Sequence, residues 1–378
     1  MSKLPSRKLT PFIVKDLKHK MVFLAGPRQV GKTTLAQSLI SKFKDEHPAY
    51  LNWDNSDHRT TILTRSWPRN EKLIVFDEIH KHKSWQNLIK GTYDTLKNTH
   101  SFLITGSARL DIFRKGGDSL MGRYHLFRLH PYTLPELEYK KGATQALFQF
   151  GGFPEPLAFS DPVQLKRWHR QRLSHLIRID LRDLEEIKQL DKIELLASDL
   201  HRRVGAPLSL RSLALQLECD PKTIQNWVSI LDRLYFSFRI SPYGAPKIKA
   251  VKKEQKLYLW DWSQIVDPGA RFENMLASHL LKFCHYHEDI YGEQMELRYL
   301  RDDRGREVDF VVLKNNRPMF AVEAKLNDTS FSENLFYFSE RTPISKFYQV
   351  HQGTENKSAS DSVCLIGFQD FCKEVQLV

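Results

Sequence analysis

The segment Gly26-Pro27-Arg28-Gln29-Val30-Gly31-Lys32-Thr33 constrains this chain more than any other stretch. An apolar run, Met21-Val22-Phe23-Leu24-Ala25, precedes it, and Thr34-Leu35-Ala36-Gln37-Ser38-Leu39-Ile40 follows. Strand, glycine-bounded loop and helix is the setting in which G-x-x-x-x-G-K-[ST] binds phosphate. Glycine lets the backbone curl and come close to an anion. Successive N–H groups then point into the curl, and the helix starting near Lys32 adds its positive end. Lys32 is placed to reach the β- and γ-phosphates, and the Thr33 hydroxyl to hold Mg²⁺. The expected ATP contacts are therefore Gly26, Pro27, Arg28, Gln29, Val30, Gly31, Lys32, Thr33 and Thr34.

A second motif supplies what the loop lacks. Ala49–Trp53 reads as a strand, a polar helix through Arg59 and Leu63 follows, and then comes Lys72-Leu73-Ile74-Val75-Phe76-Asp77-Glu78-Ile79-His80. Four consecutive apolar residues fit a buried parallel strand. Two carboxylates stand at its C-terminal end, where open α/β sheets bind their ligands. Asp77 is expected to support the Mg²⁺ and Glu78 to activate the attacking water.

Trp85, Leu88, Ile89, Tyr93 and Leu96 recur at helical spacing, and Ser101–Ser107 reads as another central strand. Its polar end, Thr105 and Ser107, would lie beside the phosphate loop, and Ser107 is the expected γ-phosphate sensor. After the stretch 115–124, Leu126–Leu129 reads as the last strand of the sheet. Arg123 is the expected transition-state arginine, acting across a subunit interface, with Arg109 and Arg114 as competitors.

The strings GPRQVGKTT, LIVFDEIHK, LITGSARL and SLMGRY resemble the bacterial and archaeal AAA-superfamily ATPases that carry an uncharacterised C-terminal domain. The resemblance runs through most of the chain. It implies a parallel-sheet ATPase core over residues 1–130 and a helical lid over 131–200. Phe150-Gly151-Gly152-Phe153-Pro154-Glu155 resembles that group's G-x-P lid segment, which packs near the nucleotide base. Ala108 stands where many relatives have a second serine.

Composition bounds the remainder. A chain of 378 residues is long for one domain, and its formal charge is +12. That charge favours a polyanionic partner, nucleic acid first. The four cysteines have no disulfide-like or ligand-like spacing and read as reduced thiols of a cytoplasmic protein. No apolar run reaches the ~20 residues of a membrane span, and no secretory apolar region follows the basic start.

Residues 161–200 are helix-patterned, with a polar face rich in Arg and His. In the expected winged-helix region, 201–262, Ser209 and Asp220 are candidate helix caps around the turn Glu218-Cys219-Asp220, and Pro221 suits a first helical position. The pattern is a helix-turn-helix. A strand, Phe236–Ile240, and a hairpin, Pro246–Ala250 with Lys256–Trp260, follow. The hairpin tip carries Lys247, Lys249, Lys252, Lys253 and Lys256, expected to meet DNA phosphates; packing or oligomerisation is the other use of such a module.

In 263–378 a helix from Arg271 precedes strands at Met295–Arg301, Glu307–Leu313 and Met319–Lys325. Residues two apart in a strand share a face, so Glu323 and Lys325 project together and Asp309 can join them from the next strand. With Glu273 on the helix they form an E…D…E-x-K set, the apparatus of metal-dependent phosphodiester cleavage. The arrangement resembles the PD-(D/E)xK nucleases of restriction enzymes and Holliday-junction resolvases. Active nuclease, nuclease-like fold without activity, and salt-bridged carboxylates are the readings it leaves open.

The expected whole is an α/β, P-loop AAA-type ATPase with helical lid, winged helix and nuclease-like domain. It would use ATP and Mg²⁺, assemble into a homo-oligomer and remodel or translocate on DNA. A switch acting through a protein partner and an ATP-gated nuclease are the alternatives. No membrane partner is expected.

Overall fold

The computed structural model describes residues 4–40, 47–106, 120–181, 189–244 and 254–378. The chain divides into two units, Ser6–His130 and Pro131–Val378, the second taking in Leu4 and Pro5.

In the first unit, helix α1 (Thr10–Asp16) leads into strand β1 (Met21–Ala25), followed by α2 (Lys32–Ser38), β2 (Tyr50–Asn52), α3 (Ser56–Thr64), β3 (Leu73–Asp77), α4 (Trp85–Leu96), β4 (Ser101–Thr105) and β5 (Tyr124–Arg128). The five strands make one parallel sheet in the order β2-β3-β4-β1-β5. All of β1 and nearly all of β3 and β4 are buried, which is why they read as unbroken apolar runs rather than alternating ones. Phe23, Phe76, Phe102, Trp85 and Ile89 fill one face. Asn55 caps α3 by accepting from the N–H groups of Asp57 and His58. The placement of β4 between β1 and β3 decides the chemistry, because its C-terminal end then lies between the loop after β1 and the carboxylates after β3.

The second unit begins with helices α5 (Ala143–Phe150), α6 (Pro154–Phe159) and α7 (Pro162–His175), the last running on into a π-helical turn, Leu176–Asp180. The Gly-Gly segment between α5 and α6 is tightly enclosed. A Cβ on Gly152 would stand 2.5 Å from the Tyr132 carbonyl oxygen and 2.7 Å from the Trp262 ring. Arg172 of α7 stacks 4.4 Å from the Phe153 ring centroid.

Helix α8 (Leu190–Leu200) precedes the pair α9 (Leu210–Gln216) and α10 (Pro221–Arg233). Ser209 caps α9 by accepting from Ser212 N–H, and Asp220 caps α10 from Lys222 N–H with Pro221 at its first turn. Strands β6 (Ser237–Pro242) and β7 (Lys256–Leu259) pair antiparallel. The partner of Lys256–Leu259 is thus the strand directly after α10; Pro246–Ala250 lies outside the described residues.

Helix α11 (Pro268–Tyr291), capped by Asp267, leads to β8 (Met295–Arg301), β9 (Glu307–Lys314), β10 (Arg317–Ala324), α12 (Glu333–Ser339), β11 (Phe347–His351), β12 (Lys357–Ser358), β13 (Val363–Gly367) and α13 (Phe368–Glu374). One eight-stranded sheet has the order β12-β13-β11-β10-β9-β8-β6-β7. Because β6 pairs with β8 as well as with β7, the hairpin after the helix pair is part of the C-terminal sheet. No helix among the described residues is long and apolar enough to cross a membrane.

Candidate functional site

The loop after β1 is shaped by backbone that only glycine adopts easily. Gly26 has φ +146° and Gly31, the N-cap of α2, has φ +98°. A Cβ on Gly26 would also stand 2.4 Å from the Leu129 carbonyl oxygen, so both conformation and space require glycine there. Arg7 donates to the Val30 carbonyl at 2.6 Å and braces the loop from outside. The Lys32 ammonium donates to the carbonyls of Gly26 and Pro27, each at 2.8 Å, and so lies across the loop's own mouth.

Asp77, at the end of β3 and 3% exposed, is the hub of the site. Its Oδ2 accepts from Thr33 Oγ1 at 2.9 Å and from the Tyr50 hydroxyl at 2.5 Å, and its Oδ1 accepts from Thr105 Oγ1. Donors from α2, β2 and β4 thereby fix one carboxylate beside the first turn of α2. Burial and the neighbouring Asp77 charge push the Tyr50 phenol well above its ordinary pKa, so it stays a donor.

Glu78 follows with φ +56°, a left-handed conformation uncommon for a side-chain-bearing residue. Its N–H is tied to the Thr105 carbonyl at 3.1 Å. Its Oε2 is buried without a hydrogen bond among the described residues; His80 Nε2 stands 3.5 Å and Lys81 Nζ 3.8 Å away. Burial first, then the Asp77 charge, raise its pKa, against the opposing pull of Lys32 and Lys81. A carboxylate held this way is disposed to take a proton.

Of the other expected residues, Ser107, Arg109 and Arg114 lie outside the described residues. Arg123 forms a bidentate pair with Asp94 of α4, at 2.9 and 3.1 Å. It immediately precedes β5, whose first residue is opposite Met21, the first residue of β1. Arg123 therefore lies at the end of the sheet away from Gly26–Thr33 and does not complete the site of its own chain. Tyr50 and Thr105 as partners of Asp77 were not expected; the signal for them is a hydroxyl at one end of each strand, Tyr50 opening β2 and Thr105 closing β4.

The second constellation is in the C-terminal sheet. Asp309 of β9 influences Glu273 of α11, Glu323 of β10 and Lys325 electrostatically. Lys325 Nζ meets Glu323 Oε1 at 2.8 Å, and Asp309 Oδ2 accepts from Ala324 N–H at 2.9 Å. Burial, reinforced by Asp309, pushes Glu273 up to about 8 and Glu323 up to about 7.

One expectation is corrected here. Lys256 is not an exposed phosphate contact: its side chain is 1% exposed, and its ammonium lies 2.5 Å from Glu307, 3.2 Å from Asp309 and 3.6 Å from Glu273. All four residues of β7 are buried, and Lys256, opposite Ile240, meets the carboxylates there. Lys247, Lys249, Lys252 and Lys253 lie outside the described residues.

Comparison with known proteins agrees with the front of the chain. Residues 18–138 match the AAA domain family. Residues 142–265 match a domain of unknown function (DUF8612), and residues 268–371 match another (DUF4143). An uncharacterized protein of Methanocaldococcus jannaschii is 25% identical over 90% of this chain and 82% of its own length. An uncharacterized protein of Mycobacterium tuberculosis is 23% identical over 92% of this chain and 79% of its own. Among solved structures, the Thermotoga maritima RuvB Holliday junction branch migration motor is 20% identical over 61% of this chain and 87% of its own, with a TM-score of 0.32, a likeness that carries no functional argument. Residues 18–138, the part that matches the AAA domain family, are built on a glycine-bounded loop and a five-stranded parallel sheet.

Proposed function

We propose that this chain is an ATP-hydrolysing AAA-type ATPase that acts on DNA. The observation that carries hydrolysis is the shared Asp77 carboxylate, which joins the Thr33 hydroxyl to the end of β4 and has Glu78 as its neighbour. Mg-ATP is the substrate. Thr33 and Asp77, with oxygens 2.9 Å apart, suit the metal that travels with it, while the loop N–H groups and Lys32 hold the phosphates. Glu78 takes a proton from water as its oxygen attacks the γ-phosphorus. The bond to the bridging oxygen breaks, and ADP and phosphate leave. In this reading Ser107 would sense the γ-phosphate. Arg123, turned away from its own chain's loop, acts in this scheme on a neighbour in a homo-oligomer.

DNA as the partner rests on the formal charge of +12 and on the capped pair α9–α10, read as the helix-turn-helix of a winged helix. The outer face of α10 exposes Lys222, Gln225 and Asn226, side chains suited to phosphates and base edges. Lys247, Lys249, Lys252 and Lys253 would add phosphate contacts. Turnover measured with single-stranded, duplex and four-way-junction DNA tests this reading. Stimulation by one of them is expected. Flat turnover across the panel would remove DNA as the partner and favour a nucleotide switch acting on a protein.

A further inference from the structure

A divalent metal in the E…D…E-x-K set needs several carboxylate oxygens turned to one point and available to it. Here most of those oxygens already have partners. Lys256 Nζ touches Glu307 Oε1, Asp309 Oδ1 and Glu273 Oε1 at 2.5, 3.2 and 3.6 Å. The Tyr258 hydroxyl donates to Glu273 Oε1 at 2.8 Å. Asp309 Oδ2 is held by Ala324 N–H, and Glu323 Oε1 by Lys325. Glu323 Oε2 is buried without a hydrogen bond among the described residues, but one oxygen is not a donor set. No group of three or more His, Cys, Asp or Glu side chains among the described residues is placed to hold a metal ion.

Lys256 is fixed from every side. Its backbone pairs with Ile240 across the hairpin and bridges to Pro207. Its ammonium lies 5.5 Å from the Tyr299 ring centroid. Gly205 leaves room for the cluster: a Cβ there would stand 2.8 Å from Glu273 Oε1. A buried ammonium is tolerated only with paired carboxylates around it, and these carboxylates equally need a cation.

We propose that Lys256 is the resident cation of this carboxylate set, so that the C-terminal half works without a divalent metal and does not cleave phosphodiesters. An ammonium neutralises carboxylates but offers no coordination position in which to bind and acidify water, which is what a metal supplies in such a site. The nuclease-like residues are present and do not fit a metal, because a lysine from the adjoining hairpin stands at their centre. The same ion pairs join β7, α11 and β9, and so tie the hairpin after the helix pair to the C-terminal sheet.

The test is a titration of Mn²⁺ into the full, nucleotide-free chain, with free Mn²⁺ read by electron paramagnetic resonance. Wild type and Asp309→Asn are expected to give superimposable isotherms; subtraction removes any binding at the front unit. Lys256→Ala is expected to gain a site at least about ten-fold tighter than any in wild type, lost again in Lys256→Ala with Asp309→Asn. A wild-type site that Asp309→Asn abolishes overturns the proposal. So does a folded Lys256→Ala chain that gains no site. Should either variant fail to fold, wild type against Glu323→Gln makes the deciding comparison: superimposable isotherms support the proposal, and a wild-type site that Glu323→Gln abolishes overturns it. None of these readouts depends on ATP turnover, so failure here leaves the ATPase reading untouched.

Discussion

The Tyr50 hydroxyl donates to Asp77 Oδ2 at 2.5 Å, reaching from β2 to the hub of the proposed nucleotide site on β3. The two strands pair with Asn52 opposite Asp77, so Tyr50 lies two residues along on the same face. Its oxygen shares Oδ2 with Thr33, and it therefore decides how that carboxylate faces the α2 helix. Tyr50→Phe removes the hydroxyl and keeps the buried ring. ATP affinity is expected to change less than about three-fold, whereas kcat falls by about ten-fold or more, the size of one lost hydrogen bond to a charged group. Steady-state kinetics at several Mg²⁺ concentrations separate the two effects; an unchanged kcat would reduce Tyr50 to a packing residue.

Glu78 is destabilised as an anion by burial and by Asp77, and its pKa is raised. The acid limb of kcat is therefore expected above the ordinary glutamate value of about 4.3, because the base must be ionised to act. Glu78→Gln is expected to lower kcat by more than about 100-fold while ATP still binds, since the loop and Asp77 are untouched. The same change relieves a buried charge and should raise the melting temperature of the front unit by about 3 °C. Undiminished hydrolysis in this variant would show that another group takes the proton.

The front of the chain was readable because its strands are buried on both faces and its loop demands glycine. Met21–Ala25 and Leu73–Asp77 could hardly be anything but central strands beside a phosphate loop. The caps Ser209 and Asp220-Pro221 likewise announced their helices through local chemistry. What a linear reading missed depends on strand neighbours. Tyr50 meets Asp77 only because β2 flanks β3, an order no periodicity encodes. Lys256 closes a run of lysines and looked solvated with them. Its place opposite Ile240, inside a sheet that also receives β8, turned it toward Asp309. Glu307, two residues before Asp309 and on the same face, was legible by strand alternation but had no evident partner until Lys256 was located.

Lys282 of α11 and Glu136 form a buried ion pair, their side chains 5% and 1% exposed, and Lys282 also donates to Thr133 Oγ1 at 3.1 Å. Replacing the lysine leaves Glu136 charged and enclosed. Lys282→Met is therefore expected to lower the stability of the second unit by about 3–5 kcal/mol. The double change with Glu136→Gln should restore much of the loss, since it removes the buried charge along with its lysine. Chemical denaturation of the four variants of this cycle measures it; equal losses in the single and double variants would mean that packing of the Lys282 stem, rather than the pair, is what matters.

The carboxylate cluster makes the second unit sensitive to pH in a definite direction. Glu273 is pushed up to about 8 and Glu323 up to about 7, chiefly by burial and then by Asp309. In the unfolded chain both return to about 4.3. Between these values the folded state holds protons that the unfolded state has released, so the stability from these groups is present at low pH and lost as pH rises through about 7 to 8. The melting temperature of the second unit is expected to fall between pH 5.5 and pH 8.5. Glu323→Gln, which copies the protonated side chain, should flatten that fall and melt higher than wild type at the alkaline end. The comparison of slopes cancels whatever the rest of the chain contributes. A melting temperature that rises over the same interval, or an equal slope in Glu323→Gln, would mean that Lys256 and Lys325 keep the cluster fully ionised in the folded state.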